Sequence, residues 1–322
     1  MVNSIDTAPA ALRDQLAGLA TERVNETYPN LDLLSTRELV AAMNQEDATV
    51  AGAVGAAGPA ISAAIDGIVT QLRAGGRLIY LGAGTAGRLG ILDASETPPT
   101  FGTDPSLVVG VIAGGPNAVH TAVENAEDNA EAGAADLRAL QLSASDAVVG
   151  VSASGRTPYV LGALAYARSL GAFTAGLSCN ADSPLGRAGD VAIEVEVGPE
   201  ILTGSTRLKA GTAQKMVLNM LSTIAMVQLG KTYRNLMVDM RATNEKLRAR
   251  AERTVMLATD ADAASAVQAL RTAHGSVKVA ILTLMTGVTE QAAIDLLQQQ
   301  HGNLRAAIAP VAATTEGEHA HG

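Results

Sequence analysis

Two short stretches carry groups that could act on a small anionic ligand. In "VVGVSASGRTPYV", Ser152, Ser154 and Thr157 cluster with Gly155 where a helix is expected to begin. Free backbone N–H groups and the positive end of the helix dipole favour an anion at such a place. Hydroxyls add neutral donors around phosphate oxygens; simple helix capping is the structural alternative. In "RLIYLGAGTAGRLG", an apolar run breaks into Gly82, Gly84 and Gly87, the G-x-G-x-x-G spacing of a dinucleotide turn. That reading also needs an acid near the end of the second strand to hold ribose hydroxyls. Here that strand, "LVVGVI", ends in Ala113-Gly114-Gly115, and Asp104 precedes it at the wrong end. The dinucleotide reading fails its own requirement. Two glycine- and hydroxyl-bearing loops at one sheet edge point instead to a phosphorylated metabolite, a sugar phosphate rather than a nucleotide.

Carboxylates lie near both loops in sequence. Glu96 stands in "ILDASETPP", on the helical turn expected after the glycine loop, and a helix-terminal acid before Pro98 is its structural reading. Glu124, Glu127, Asp128 and Glu131 follow i, i+3, i+4, i+7 spacing, predicting one acidic helix stripe of the kind that usually faces water. Two carboxyl groups in different protonation states can serve as acid and base. "TGSTRLKAGTAQK" offers Ser205, Thr206, Arg207 and Lys209 at a helix start. These could bind a sugar or a carboxylate; equally, Arg207 and Lys209 could form ion pairs that fix the helix. His120 reads as a surface or capping residue.

These residues need elements to position them. Apolar runs at 78–81, 107–112, 147–151, 173–177 and 191–197 alternate with helix-like segments such as 117–140 and 157–170. The alternation predicts an α/β fold, a doubly wound parallel sheet with its ligand at the carboxyl ends of the strands. Ser35-Thr36 marks a helix start, and "PAISAAIDGIVTQLRAGG" an amphipathic helix closed by Gly75-Gly76. A long helix is expected through Gln214 to Leu229, stopped by Gly230. Beyond about residue 250 the strands cease and the chain repeats itself: "AASAVQALRTAHGSVKVAI" aligns without a gap to "EQAAIDLLQQQHGNLRAAI". Each copy reads helix, His-Gly turn, helix. His274 and His301 are expected to cap helix ends rather than catalyse. The resulting division is an N-terminal helical segment at 1–50, an α/β domain at 51–248, a duplicated all-helical region at 249–309 and a disordered tail at 310–322.

Composition narrows the partners. Hydrophobic residues make up 48% of the 322-residue chain, aromatics only 2%, and the formal charge is −9 without a basic run. Nucleic acid is therefore a poor partner. Cys179 is the only cysteine, which excludes an intramolecular disulfide and fits a reducing cytoplasm; a buried structural thiol is its expected role. The start, "MVNSIDTAPAALRDQ", shows no signal-peptide pattern, and no apolar run is long enough to span a bilayer, so no membrane partner is expected.

The Ser-x-Ser-Gly-x-Thr loop resembles the phosphate loop of sugar isomerase (SIS) domains. More specifically, "LGAGTAGRLGILDASETPPTFG", "AVENAED", "GPEILTGSTRLKAGTAQK" and "NLMVDMRATNEKL" together resemble the N-acetylmuramic acid 6-phosphate etherases, related to the glucokinase regulatory protein. The resemblance implies a SIS (flavodoxin-like) sandwich that cleaves the D-lactyl ether at C3 of the sugar. The implied route opens the sugar, removes the C2 proton, eliminates lactate and returns water to C3, with no metal or redox cofactor. Glu96 matches the family's proton donor and Glu127 its second catalytic carboxylate, here cast as the C2 base. Gly84, Thr85, Ser152, Ser154, Gly155, Thr157, Ser205, Thr206 and Lys209 are the implied substrate and phosphate ligands. Arg241, Asn244 and Glu245 match a family block without assigned roles. One departure stands out: Ala86 occupies a position where the family usually has serine, so the hydroxyl contact expected there is either absent or replaced, with Thr85 the candidate replacement. The resemblance also implies a homodimer. A sugar-phosphate-sensing regulatory protein and an aldose–ketose isomerase are the competing functions. Retention of Glu96 and Glu127 without a partner-binding insertion favours the lyase.

Overall fold

The structure, a computed structural model, describes residues 18–240, 242 and 244–319. Contacts divide the chain into two compact units, 1–95 with 106–221 and 96–105 with 222–322.

In the first unit, Ser35 caps helix α1 (Thr36–Asp47) through a reciprocal box. Its Oγ accepts the Glu38 N–H at 3.4 Å and its own N–H donates to Glu38 Oε2 at 2.8 Å. Helices α2 (Val50–Ala56) and α3 (Gly58–Arg73) follow, the latter with Pro59 in its first turn, where the missing N–H costs nothing. Strand β1 (Leu78–Gly82) leads into α4 (Gly84–Phe101), then β2 (Val108–Ile112), α5 (Ala130–Ala139), β3 (Ala147–Val151), α6 (Pro158–Ser169), β4 (Phe173–Ser178), α7 (Pro184–Ala188), β5 (Val191–Glu194) and α8 (Lys209–Gln228); α4 from residue 96 and α8 from residue 222 are counted with the second unit. The five strands form one all-parallel sheet in the order β2-β1-β3-β4-β5. Period-two alternation divides its faces. Ile79, Leu81 and Val148 pack with Leu137 of α5 and Tyr159, Val160 and Leu164 of α6 in one buried cluster. Tyr80 points the other way, against Gly90 of α4, where a Cβ would come 2.9 Å from the Tyr80 Cβ. Burying each such large side chain contributes about 1.5–3 kcal/mol, which holds the helices to both faces without any aromatic-rich core. At the opposite strand ends Asp146 clasps β1 to β3, accepting the Arg77 backbone N–H at 2.9 Å and its Nη2 at 2.8 Å.

The second unit holds a two-residue antiparallel pair, β6 (Thr232–Tyr233) and β7 (Leu236–Met237), then α9 (Glu245–Thr259), α10 (Ala263–Thr272), α11 (Val277–Thr286), α12 (Glu290–Gln299) and α13 (Leu304–His319). The repeat is visible in the turns. The His274 N–H bonds the Arg271 carbonyl at 3.2 Å and the Gly275 N–H the Leu270 carbonyl at 2.8 Å. His301 and Gly302 repeat the pattern on Gln298 and Leu297. Both are Schellman closures with a left-handed histidine, φ 49° and 51°, where glycine is usual. The apolar faces of the two hairpins bury against each other and α9, through Val255, Leu270, Ile281, Ala293 and Leu304.

Three expectations need correction. Residues 117–140 are not one helix: a 3-10 turn ends at Val119, Asn125 is left-handed at φ 59°, and α5 starts only at Ala130. The acidic residues therefore share no helical stripe. The strand expected over 191–197 stops at Glu194. Residues from Pro310 on, expected as a disordered tail, continue α13 to His319; 320–322 lie outside the described residues. Among the described residues no single helix is long and apolar enough to cross a membrane.

Candidate active site

In the strand order observed here, direction switches between β1 and β3, and ligands of such sheets sit at that crevice. A cavity of about 310 Å³ occupies this position. Its wall takes Gly84, Thr85 and Ala86 after β1, Ser152, Ser154 and Thr157 after β3, Thr206 before α8, and Glu127. A second cavity of about 230 Å³ shares Ala83, Gly84 and Glu127 with it and adds Arg88, Ala113, Val123 and Glu124.

The glycines of the first loop have separate duties. A Cβ on Gly82 would lie 2.7 Å from the Gly87 nitrogen, and one on Gly87 would lie 2.5 Å from Ile112. Those two allow the strand-to-helix junction to close. Gly84 instead sits at φ 54°, and a Cβ there would meet nothing within 4 Å, so its backbone lies open to the cavity. The second loop is a hydroxyl cluster: Ser152 Oγ lies 2.8 Å from Thr157 Oγ1 and 3.3 Å from Ser154 Oγ. The Gly155 N–H donates to Ser152 Oγ at 3.1 Å and the Arg156 N–H to Ser154 Oγ at 3.2 Å. Thr157 is the N-cap residue of α6, yet its side chain makes no capping bond. Simple capping is therefore not what holds the Thr157 hydroxyl, and the cluster lines the cavity beside a helix start suited to phosphate.

Several expected ligands lie elsewhere. Gly155 is buried at φ 69°, packed on Ser183, and lines neither cavity. Ser205 is half-buried and its N–H closes a turn onto Leu202. Lys209 points away: its Nζ lies 2.5 Å from Glu46 Oε2, with both side chains largely buried. Burial pushes the Glu46 carboxyl upward, but the Lys209 ammonium and a bond from Asn25 outweigh it and hold the group below the usual range. The α8 start is capped by buried Glu200, which accepts the Lys209 and Ala210 N–H groups at 2.9 and 3.0 Å; burial raises its carboxyl despite those bonds. The ion-pair reading of Lys209 thus fits the geometry, and Arg207 is exposed. Glu96 lies roughly three turns into α4 rather than on its first turn; it is exposed and not on the wall of either cavity. Arg241 lies outside the described residues. Asn244 caps α9, accepting the Leu247 N–H at 2.9 Å, and Glu245 complements the dipole in its first turn. Cys179 is fully buried, and burial with the nearby Glu200 charge pushes its thiol up to about 12, so it is structural.

Sequence reasoning missed Glu22, Arg88 and Gln214. Glu22 and Gln214 line the larger cavity and Arg88 the smaller. Glu22 gets there because Asn180 Nδ2 donates to Thr21 Oγ1 and to the Ala153 carbonyl, both at 3.0 Å, tying the Ala20–Glu22 turn to the hydroxyl loop. Arg88 Nε is held by the Val119 carbonyl at 2.9 Å. Thr85 and Ala86 share the cavity wall, so a hydroxyl-bearing residue adjoins the position that lacks one. Among the described residues no group of three or more His, Cys, Asp or Glu side chains is arranged to hold a metal ion.

Hydroxyl-lined loops at the switch point of a five-stranded parallel sheet are the marks of a SIS domain. Family models match accordingly, that of the glucokinase regulatory protein N-terminal SIS domain over residues 60–168 and that of the SIS domain over 121–224. An N-acetylmuramic acid 6-phosphate etherase of Streptomyces avermitilis is 60% identical over 299 residues, covering 93% of this chain and 96% of that protein. The N-acetylmuramic acid 6-phosphate etherase 2 of Vibrio cholerae is 54% identical over 298 residues, covering 92% and 97%. The chain belongs to the N-acetylmuramic acid 6-phosphate etherase family. Among solved structures, a phosphoheptose isomerase from Francisella tularensis has 20% identity and a TM-score of 0.49, covering 60% of this chain and all of that one.

Proposed function

We propose that this chain, a carbon–oxygen lyase, cleaves the D-lactyl ether of N-acetylmuramic acid 6-phosphate to N-acetylglucosamine 6-phosphate and D-lactate. The observation that carries the reading is the single cavity that brings both phosphate-suited loops together with Glu127. An alkoxide leaves poorly from a ring carbon. Ring opening to the aldehyde acidifies the C2 proton, so lactate departs from C3 by elimination and water adds back to the enal. Glu127 takes the C2 proton in this scheme, and the Ser152–Ser154–Thr157 cluster at the start of α6 holds the phosphate. The chemistry calls for a base and an acid, not a metal or redox cofactor.

Glu96 is assigned as the acid that protonates the departing lactyl oxygen, on its motif match. Being exposed and off the cavity wall of its own chain, it would serve the cavity of a second copy in a homodimer. The reaction is placed in the cytoplasm, where a lone buried thiol such as Cys179 stays reduced.

Incubation with substrate in heavy water tests the scheme. Free lactate with deuterium at C2 of the product is expected, and Glu127→Gln should suppress both. Lactate without C2 label would refute the elimination. A ketose product retaining its lactyl group would establish the isomerase.

A further inference from the structure

Gln214 lies on the second turn of α8, 1% exposed and flanked by fully buried Ala210, Ala213, Val217 and Leu218. The helix start beneath it is fixed by the Glu200 cap. Gln214 is nevertheless one of the residues that line the larger cavity, and its Nε2 is buried with no hydrogen-bond partner. A buried amide donor without a partner is costly, and native proteins seldom leave one so.

We propose that Gln214 is a specificity-determining residue whose carboxamide donates a hydrogen bond to an uncharged oxygen of the bound sugar. The inference rests on the sugar-phosphate reading of the cavity and names a contact within it. The phosphate is better served by the hydroxyl cluster and the α6 dipole across the cavity, where the positive end of a helix supplies what a neutral amide cannot. Gly211, one turn earlier on α8, packs beside Thr85, a Cβ there lying 3.4 Å from its methyl group. That puts this stretch of α8 on the glycine-loop side of the wall. A site built to bond a sugar oxygen rejects ligands lacking that oxygen, because its own donor then stays unpaired.

The test uses Gln214→Met and Gln214→Leu in the full chain, either of which suffices should the other not fold. Three quantities are read: Tm without ligand, Kd for N-acetylglucosamine 6-phosphate and for inorganic phosphate by calorimetry, and kcat/KM for lactate release. Expected are an unchanged or higher Tm, a Kd for the sugar phosphate weakened on the order of tenfold, an inorganic phosphate Kd within about twofold, and a parallel fall in kcat/KM. A lower Tm with sugar-phosphate affinity intact would make the amide structural and overturn the proposal, as would equal weakening toward phosphate alone. Should the wild-type chain bind the sugar phosphate but release no lactate, the etherase reading falls, while the two Kd values still decide the Gln214 contact.

Discussion

Removing the Lys209 ammonium separates a structural role from a substrate-binding one. Its Nζ lies 2.5 Å from Glu46 Oε2, with side chains 5% and 15% exposed. Deleting one partner of a buried pair costs about 3–5 kcal/mol, since the other charge is left uncompensated. Glu46 retains some water, so the lower end applies, about 3 kcal/mol for Lys209→Met. For a unit of this size that lowers Tm by about 6–12 °C. Replacing both members, Lys209→Met with Glu46→Met, removes the desolvation cost as well and should return Tm close to the wild-type value. The Glu46 pKa is lower in the folded chain than in the unfolded one. Its stabilisation is therefore complete above about pH 4.3 and fades as the pH falls through the depressed folded value. The Tm gap between wild type and Lys209→Met should accordingly close in acid. Calorimetric melts across pH, with kcat/KM taken well below the transition, measure all of this. Wild-type stability in Lys209→Met together with a KM raised about tenfold would refute the argument and return Lys209 to the substrate.

Two further outcomes follow from the geometry. Mixing Glu96→Ala with Glu127→Ala protein under conditions that allow subunit exchange should restore part of the lactate release each lacks alone, because each heterodimer then holds one intact cavity; no recovery despite exchange would reject the shared site. His274→Gly and His301→Gly should each raise Tm, since a non-glycine residue in the left-handed region costs about 1–2 kcal/mol, of which glycine's greater freedom in the unfolded chain gives back about 0.5–1 kcal/mol. The exposed His274–Glu290 contact at 3.6 Å offsets little of that gain, and a fall in Tm would show that the histidine side chains matter more than their backbone.

Local patterns in the chain foretold most of the scaffold. Strand, small-residue loop and helix follow one another within a dozen residues around Gly84 and Ser152, so periodicity suffices to place both loops at one sheet edge. The Ser35 capping box and the paired His-Gly turns are equally short-range. The acidic segment misled because i, i+3, i+4 spacing says nothing of the backbone: Asn125 in the left-handed region breaks what the side chains alone suggest. Glu22 and Gln214 could not be found this way. Each reaches the cavity through contacts distant in sequence, Glu22 by way of Asn180 and Gln214 by the packing of α8. Lys209 shows the converse: a cation in a conspicuous motif whose partner lies 163 positions away in α1.

The two adjoining cavities share only Ala83, Gly84 and Glu127. Such a partition makes the site modular. Substitutions in the loop after β3 can retailor the hydroxyl chamber, and changes around Val123 the alanine-lined one, each without disturbing the other. Gly84 escapes that freedom, because any residue there must adopt its φ of 54° while hanging over the doorway itself.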